Sequence, residues 1–177
     1  MLETERLVLR RFTPDDLDEL AALRADPEVM RYIGDQSREK VEQRLGYYIS
    51  HYESHGLGMW AVVLKATGQL IGWCGLIFLD ETPEVEVGYG VARDYWGRGL
   101  MTEAARASLR YGFETAGLER IVAVAMPENS ASRRIMEKLG MRYEKMVHHY
   151  GHDLVYYAIG RDEFKAGDGF YLLHDDK

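Results

Sequence analysis

The sequence predicts a single α+β domain, a mixed and mostly antiparallel sheet of about seven strands flanked by about four helices. Three observations point there. Apolar runs rich in Val, Ile, Trp and Phe, each the length of a strand, follow one another through the middle of the chain. Runs with helical spacing stand before and after them, several opened by Ser, Thr or Asn and closed by Gly. No repeat, low-complexity segment or linker divides the 177 residues, a length that gives one domain a core but not two. The domain is expected over residues 1–165, with a polar tail over 166–177.

Leu7 and Leu9 alternate with Val8 and Arg10, a mixed pattern that suits a first strand. Thr13-Pro14-Asp15-Asp16 then opens a helix. Thr13 is the cap, Pro14 takes the first helical position, and the acids sit where the macrodipole favours them. Leu17, Leu20, Ala21 and Leu23 continue at helical spacing until Asp26-Pro27 interrupts, with a short helix expected over Val29, Met30 and Tyr32. Residues 37–52 form a second long helix, capped by Ser37, striped by Val41, Leu45, Tyr48 and Tyr52, and ended near Gly56. Residues 59–64 and 70–79, joined by Lys65-Ala66-Thr67-Gly68-Gln69, read as a hairpin, and Thr82-Pro83 breaks the chain before a strand over 84–91. A strand over 121–125, a helix capped by Asn129 or Ser130 and closed by Gly140, and strands over 141–150 and 153–160 complete the body. In the tail, Phe170, Tyr171, Leu172 and Leu173 can dock on the body or on a second subunit.

A formal net charge of -7 argues against a nucleic-acid surface and tilts toward cationic partners, although surface acid also serves solubility. The start lacks the basic-then-apolar order of a signal peptide, and the apolar run over 70–79 is too short to span a bilayer. A cytoplasmic protein without a membrane partner is expected. Cys74 is the sole cysteine and lies inside an apolar run, so neither an intrachain disulfide nor thiol catalysis is expected.

Residues 85–105, VEVGYGVARDYWGRGLMTEAA, pass from an alternating strand through Gly97 and Gly99 into a helix. Such a turn leaves the first N–H groups of a helix pointing outward, with no Cβ to keep an anion away. A phosphate is the natural guest. No Gly-Lys-Ser/Thr makes the turn a P-loop, and no acid after a following strand supplies a ribose contact, which leaves a plain nucleotide binder the weakest reading. A second block follows at residues 127–141, PENSASRRIMEKLGM.

Together with YWGRGLMTEA, this second block resembles the GNAT superfamily of acetyl-CoA-dependent N-acetyltransferases. The opening ETERLVLRRF, the Tyr95-Trp96-Gly97-x-Gly99 spelling and Asn129-x-x-Ser132 resemble its RimJ/RimL-like branch, which includes ribosomal-protein N-terminal acetyltransferases. The resemblance runs from about Glu3 to Phe164 and implies a GNAT-like fold in which the strand before the glycine turn bulges and splays from its neighbour.

The resemblance implies the following site. Backbone N–H groups of Arg98, Gly99, Met101 and Thr102, in the turn running from Gly97 through Leu100 to Thr102, receive the pyrophosphate of acetyl-CoA, and Arg98 adds a charge-assisted contact. Where the family's loosest pattern asks for Gln or Arg first and Gly or Ala last, this chain has Trp96 and Met101, so the Met101 side chain must point into the core. Backbone donors at Val91 and Arg93 meet the pantetheine arm and the thioester carbonyl, and Gly88 and Gly90 fit a distorted strand. Asn129 binds the pantetheine arm, caps the helix, or does both. Glu86, facing away from the valines, is the expected general base, acting through a water, with Glu84 as understudy. The tyrosine that many members place seven residues after the asparagine is Met136 here, leaving Ser132 to hydrogen-bond the departing thiolate. That loss keeps a CoA-binding module without turnover in view. Tyr32, Tyr47 and Tyr48 either touch the acceptor or pack, and His148, His149 and His152 read as turn residues near the acceptor rather than as metal ligands.

The acceptor is a primary amine: a protein N-terminus first, then a polyamine or aminoglycoside. At pH 7 neutralising an α-amine of pKa ~8 costs about 1.4 kcal/mol, against about 4.6 kcal/mol for a lysine near ~10.4. The family often dimerises, so a homodimer is a further expectation, and no metal is.

Overall fold

The computed structural model describes residues 1–34 and 37–174. Nine strands form one sheet among them, in the order β7-β8-β6-β5-β4-β3-β2-β1-β9. They are β1 (Leu2–Thr4), β2 (Leu7–Arg11), β3 (Met59–Leu64), β4 (Gln69–Phe78), β5 (Val85–Val91), β6 (Arg120–Ala125), β7 (Arg142–His149), β8 (His152–Gly160) and β9 (Tyr171–Leu173). The helices are α1 (Leu17–Arg24), α2 (Arg38–His55), α3 (Leu100–Arg110) and α4 (Ser130–Lys138). The expected strands are all present, and two short ones join them. β1 precedes the expected first strand, and β9, within the stretch set apart as a tail, pairs with β1 at Leu2↔Leu173. The segment over Val29, Met30 and Tyr32 forms hydrogen-bonded turns rather than a helix, since it is too short to propagate one.

Alternation along the strands sorts the core into two layers. Trp60, Val62, Leu76, Val85 and Val87 pack against Leu100, Met101, Ala104 and Leu109 of α3 on one face. Met59, Ala61, Trp73 and Ile77 meet Leu20 of α1 and Val41, Leu45 and Tyr48 of α2 on the other. The helix ends follow their chemistry. Asn129 accepts the N–H of Ser132 at 3.1 Å, Ser37 accepts that of Lys40 at 3.4 Å, and Gly56 closes α2 in the left-handed region at φ 66°.

Every strand pair is antiparallel except β5–β6, which is parallel and meets at a single register position, Glu86↔Val122. Beyond it the strands part, because each is committed elsewhere. β5 pairs with β4 from Phe78↔Val85 to Gly72↔Val91, and β6 pairs with β8 from Arg120↔Gly160 to Ala125↔Val155.

The expected splay of β5 is therefore present, whereas the expected bulge at Gly88 and Gly90 is absent, for the register of β5 with β4 is unbroken. The bulge sits one strand away, where Val62 faces Gly72 and Val63 faces Leu70, leaving Ile71 as the extra residue of β4. The two glycines serve packing instead. A Cβ at Gly88 would lie 2.4 Å from the Met59 methyl carbon, and one at Gly90 would lie 2.2 Å from the Trp73 ring. Trp73 is buried and covered by the Arg24 guanidinium at 4.2 Å, so it has nowhere to go, whereas a methionine tip can swing aside. Gly90→Ala is therefore expected to destabilise the fold by ~1–3 kcal/mol, and Gly88→Ala by less. Urea denaturation of the two variants checks the ranking, and equal losses would contradict it.

Candidate functional site

The first part of the site is the turn between β5 and α3. A single helical turn over Arg93–Tyr95 leads into Trp96, whose indole N–H donates to the Val91 carbonyl at 2.9 Å. Gly97 and Gly99 then take φ 72° and 74°, a region that admits a side chain only at a cost. Gly99 is the N-cap of α3 and brings no side chain to satisfy the first N–H groups, so those of residues 100–102 have no partner within the helix. The Met101 side chain is buried in the core, as its place in the turn requires. Arg98 lies over the Tyr95 ring at 5.2 Å, and Arg93 pairs with Asp26 at 3.4 Å.

A clamp fixes this turn from behind. Glu103, in the first turn of α3, accepts from the Thr4 hydroxyl at 2.6 Å, the Arg6 backbone N–H at 2.9 Å and the Arg6 Nε at 2.7 Å. The same guanidinium donates to the Arg98 carbonyl at 2.9 Å. Burial opposes ionisation of Glu103, but the bonds from Thr4 and Arg6 outweigh it and hold the carboxyl below its ordinary range. Thr4 and Arg6 belong to the ETERL opening, and sequence reasoning used that segment only as a family marker. The acid spaced four residues after a glycine cap was the signal for their partner.

The second part is the opening where β5 and β6 diverge. The N-terminus of α4 stands beside it, and Tyr89 of β5 reaches across. Its hydroxyl bonds both the carbonyl and the hydroxyl of Ser132, each at 3.1 Å. Burial raises the Tyr89 phenol above its ordinary pKa, and the Ser132 contact pulls the other way. Asn129 and Ser132 are thus brought together at one helix end, with Tyr89 as a member the sequence reading did not name. Met136 lies in the core at 1% exposure.

The third part is Glu86, three residues before Tyr89 and on the opposite face of β5, about 10 Å along the strand. It is 7% exposed. Burial drives its pKa from 4.5 up to about 7 despite a hydrogen bond from the Tyr150 hydroxyl, with Asp80 pushing the same way and Arg44 opposing. Glu84 instead accepts from the Tyr156 hydroxyl. Of the three tyrosines weighed for acceptor contact, Tyr48 is core, stacked on Phe12 and bonded to Arg24 at 2.8 Å. Tyr47 is 39% exposed beside Glu86, and the Tyr32 hydroxyl donates to the Glu128 carbonyl at 3.4 Å. His148 faces Asp153 at 2.8 Å and His149 faces Asp80 at 3.3 Å. Cys74 is buried against Ser108, its thiol pushed up to about 12 by burial, which removes it as a nucleophile.

A matching family model covers residues 6–142 and is described as an acetyltransferase (GNAT) domain. The chain belongs to the GNAT acetyltransferase family. It is 32% identical over 155 residues to the uncharacterized N-acetyltransferase YoaA of Bacillus subtilis, covering 85% of this chain and 87% of that protein. It is 33% identical over 103 residues to the putative ribosomal N-acetyltransferase YdaF of the same organism, covering 52% of this chain and 56% of that one. A crystal structure of a GNAT-family acetyltransferase from Bacillus anthracis superposes with a TM-score of 0.79 at 31% identity, over 92% of this chain and all (100%) of that one.

The protein is accordingly an N-acetyltransferase of a family whose acetyl donor is acetyl-CoA. Its three site parts are a glycine turn that leaves helix N–H groups without a helical partner, an opening between two strands and a buried acid. A groove of about 440 Å³ also runs along α3 from Gly99 and Thr102 to Arg110 beneath residues 166–171, and contains neither Glu86 nor Ser132. No helix among the described residues is long and apolar enough to cross a membrane.

Burying Glu86 has a measurable consequence for stability. A folded-state pKa raised from 4.5 to about 7 means that its contribution is fully present below pH 4.5 and is lost as pH rises through about 7. Glu86→Gln, which cannot ionise, should gain melting temperature over the unsubstituted protein as pH rises across that window. A difference that stays flat with pH would mean that Glu86 ionises normally in the folded state.

Proposed function

We propose that the protein moves the acetyl group of acetyl-CoA directly to the α-amine of a protein N-terminus, as in the RimJ/RimL-like branch. The observation that carries this reading is Glu86. It is a buried carboxyl with a pKa of about 7, close to the opening beside a turn built for an anion. Its value supports an α-amine, because moving a proton from an ammonium of pKa ~8 to such a base is uphill by about 1.4 kcal/mol, and from a lysine near ~10.4 by about 4.6 kcal/mol. The likeness to YdaF, named as a ribosomal N-acetyltransferase, supports the same acceptor class.

The residues present fit the donor. The N–H groups of residues 98–102 and the absence of Cβ atoms at Gly97 and Gly99 suit a pyrophosphate, and Arg98 adds charge. The backbone of Val91 and Arg93, on and just past the end of β5, and Asn129 at α4 suit the pantetheine arm. A backbone N–H on the unpaired edge of β5 serves the developing oxyanion, a contribution of ~3 kcal/mol. Glu86 removes the proton from the amine, the amine nitrogen bonds the acetyl carbon, and the carbon–sulfur bond breaks. The Ser132 hydroxyl, which donates to Tyr89 while the Tyr89 proton rests on the Ser132 carbonyl, turns to donate to the leaving sulfur. A thiolate needs no stronger acid, which accounts for Met136 in the core.

The test is kcat/KM against pH for a panel of peptides differing in first residue, beside spermidine and an aminoglycoside. Peptide α-amines are expected to be the better substrates, with a rate that rises through pH ~7 as Glu86 ionises. Glu86→Gln should keep CoA affinity yet lose ~10²–10⁴ in rate at pH 7, the loss shrinking above pH ~8 where the amine arrives neutral. Faster acetylation of spermidine would move the acceptor to small amines, and a full rate in Glu86→Gln would remove the base.

A further inference from the structure

Among the described residues only two non-glycine residues have a positive φ, Asp80 at 49° and Tyr150 at 54°. The pair is one clasp. The Asp80 backbone N–H donates to the Tyr150 hydroxyl at 2.9 Å, and the Tyr150 backbone N–H donates to Asp80 Oδ2 at 3.1 Å. Asp tolerates that backbone region, and Tyr150 with Gly151 (φ 75°) forms the two-residue loop between His149 and His152, a turn that takes a positive φ at both positions, at some cost for a bulky side chain. Tyr150 is held here at the tip of the β7–β8 hairpin, 64 residues from Glu86 in sequence, where the phenol donates its one proton to Glu86 Oε1.

We propose that Tyr150 is a catalytic residue, its hydroxyl standing between Glu86 and the acceptor and passing the amine's proton to Glu86. Glu86 is 7% exposed with one oxygen under the phenol, whereas Tyr150 as a whole residue is 46% exposed, so the tyrosine lies between Glu86 and solvent. A phenolic oxygen donates one hydrogen bond and accepts two. The donor goes to Glu86, one acceptor position is filled by the Asp80 N–H, and one is left for an ammonium N–H.

The first proton lost by the ammonium goes to Tyr150 Oη while the phenolic proton goes to Glu86, so the tyrosine ends neutral and Glu86 protonated. The neutral amine then bonds the acetyl carbon, and the carbon–sulfur electron pair leaves with sulfur. The second nitrogen proton ends on that thiolate, and Glu86 returns the first to water. The same hydroxyl holds the carboxyl lower than burial alone would, while Asp80 raises it and Arg44 of α2 lowers it. Tyr47 of α2 feels the Glu86 charge, and His149 faces Asp80.

This proposal rests on Glu86 as the base, and the experiment separates the two. Tyr150→Phe, Glu86→Gln and the double variant are compared by kcat/KM against pH on an acetyl-accepting peptide, with CoA affinity and melting temperature measured alongside. Tyr150→Phe should lose ~10²-fold at pH 7 with CoA affinity intact, its acid limb should move to higher pH, and the double variant should be no slower than Glu86→Gln. A slow Glu86→Gln beside a full-rate Tyr150→Phe would overturn the relay and leave the base standing. A full rate in Glu86→Gln would overturn both. A pH-independent loss in Tyr150→Phe with a lowered melting temperature would make the hydroxyl structural and contradict the proposal. If Tyr150→Phe does not fold, 3-fluorotyrosine at the same position keeps the hydroxyl but makes it more acidic. A relay then shows an altered pH profile, and an unchanged one overturns it.

Discussion

The divergence of β5 from β6 is the constraint on which the rest depends. Two strands of one sheet normally satisfy each other's backbone groups, and leaving an edge open inside a domain is costly unless something else is to fill it. Here the separation is enforced from outside the pair. β5 is held by β4 along its whole length and β6 by β8 along its own, so the parallel contact is reduced to Glu86↔Val122. Crossing over α3 from one strand to the other places the glycine turn at the end of β5, and the helix after β6 brings Asn129 and Ser132 to the same opening. A single topological choice thus assembles a glycine turn, a free strand edge and a helix N-terminus around one gap.

Stability is given up at several points of that arrangement. Glu86 is buried with a raised pKa, and Asp80 and Tyr150 hold strained backbone angles. The surroundings offset these costs with rigid supports. Thr4 and Arg6 clamp Glu103, the Arg10 guanidinium forks onto Asp16 at 2.7 and 2.8 Å, and Trp73 fills the space that Gly90 vacates. Arg10 and Asp16 tie the start of α1 to β2, so the helical layer that carries Tyr47 toward Glu86 sits on a fixed base.

Much of this was legible from local chemistry. Caps such as Asn129 and Ser37, the left-handed glycines and the inward turn of Met101 follow from rules that act within a few residues, and the family motifs fall in that class. What the sequence did not disclose acts over long separations. Tyr150 meets Glu86 and Tyr89 meets Ser132 only once the sheet is assembled, and neither tyrosine carries a local signal of its partner. Gly88 and Gly90 misled for the same reason. A glycine in a strand says that something comes close, but not whether it is a bulge or the side chain of a neighbouring strand. β1 and β9, three residues each, are too short to show alternation.

If the donor lies along the edge freed by this divergence, as proposed, a crystal structure with CoA bound shows it most directly. The pyrophosphate is expected on the N–H groups of residues 98–102, the pantetheine arm against β5 beyond Glu86, and the sulfur within reach of Ser132. CoA lodged instead in the groove between α3 and residues 166–171, with the β5 edge empty, would contradict it.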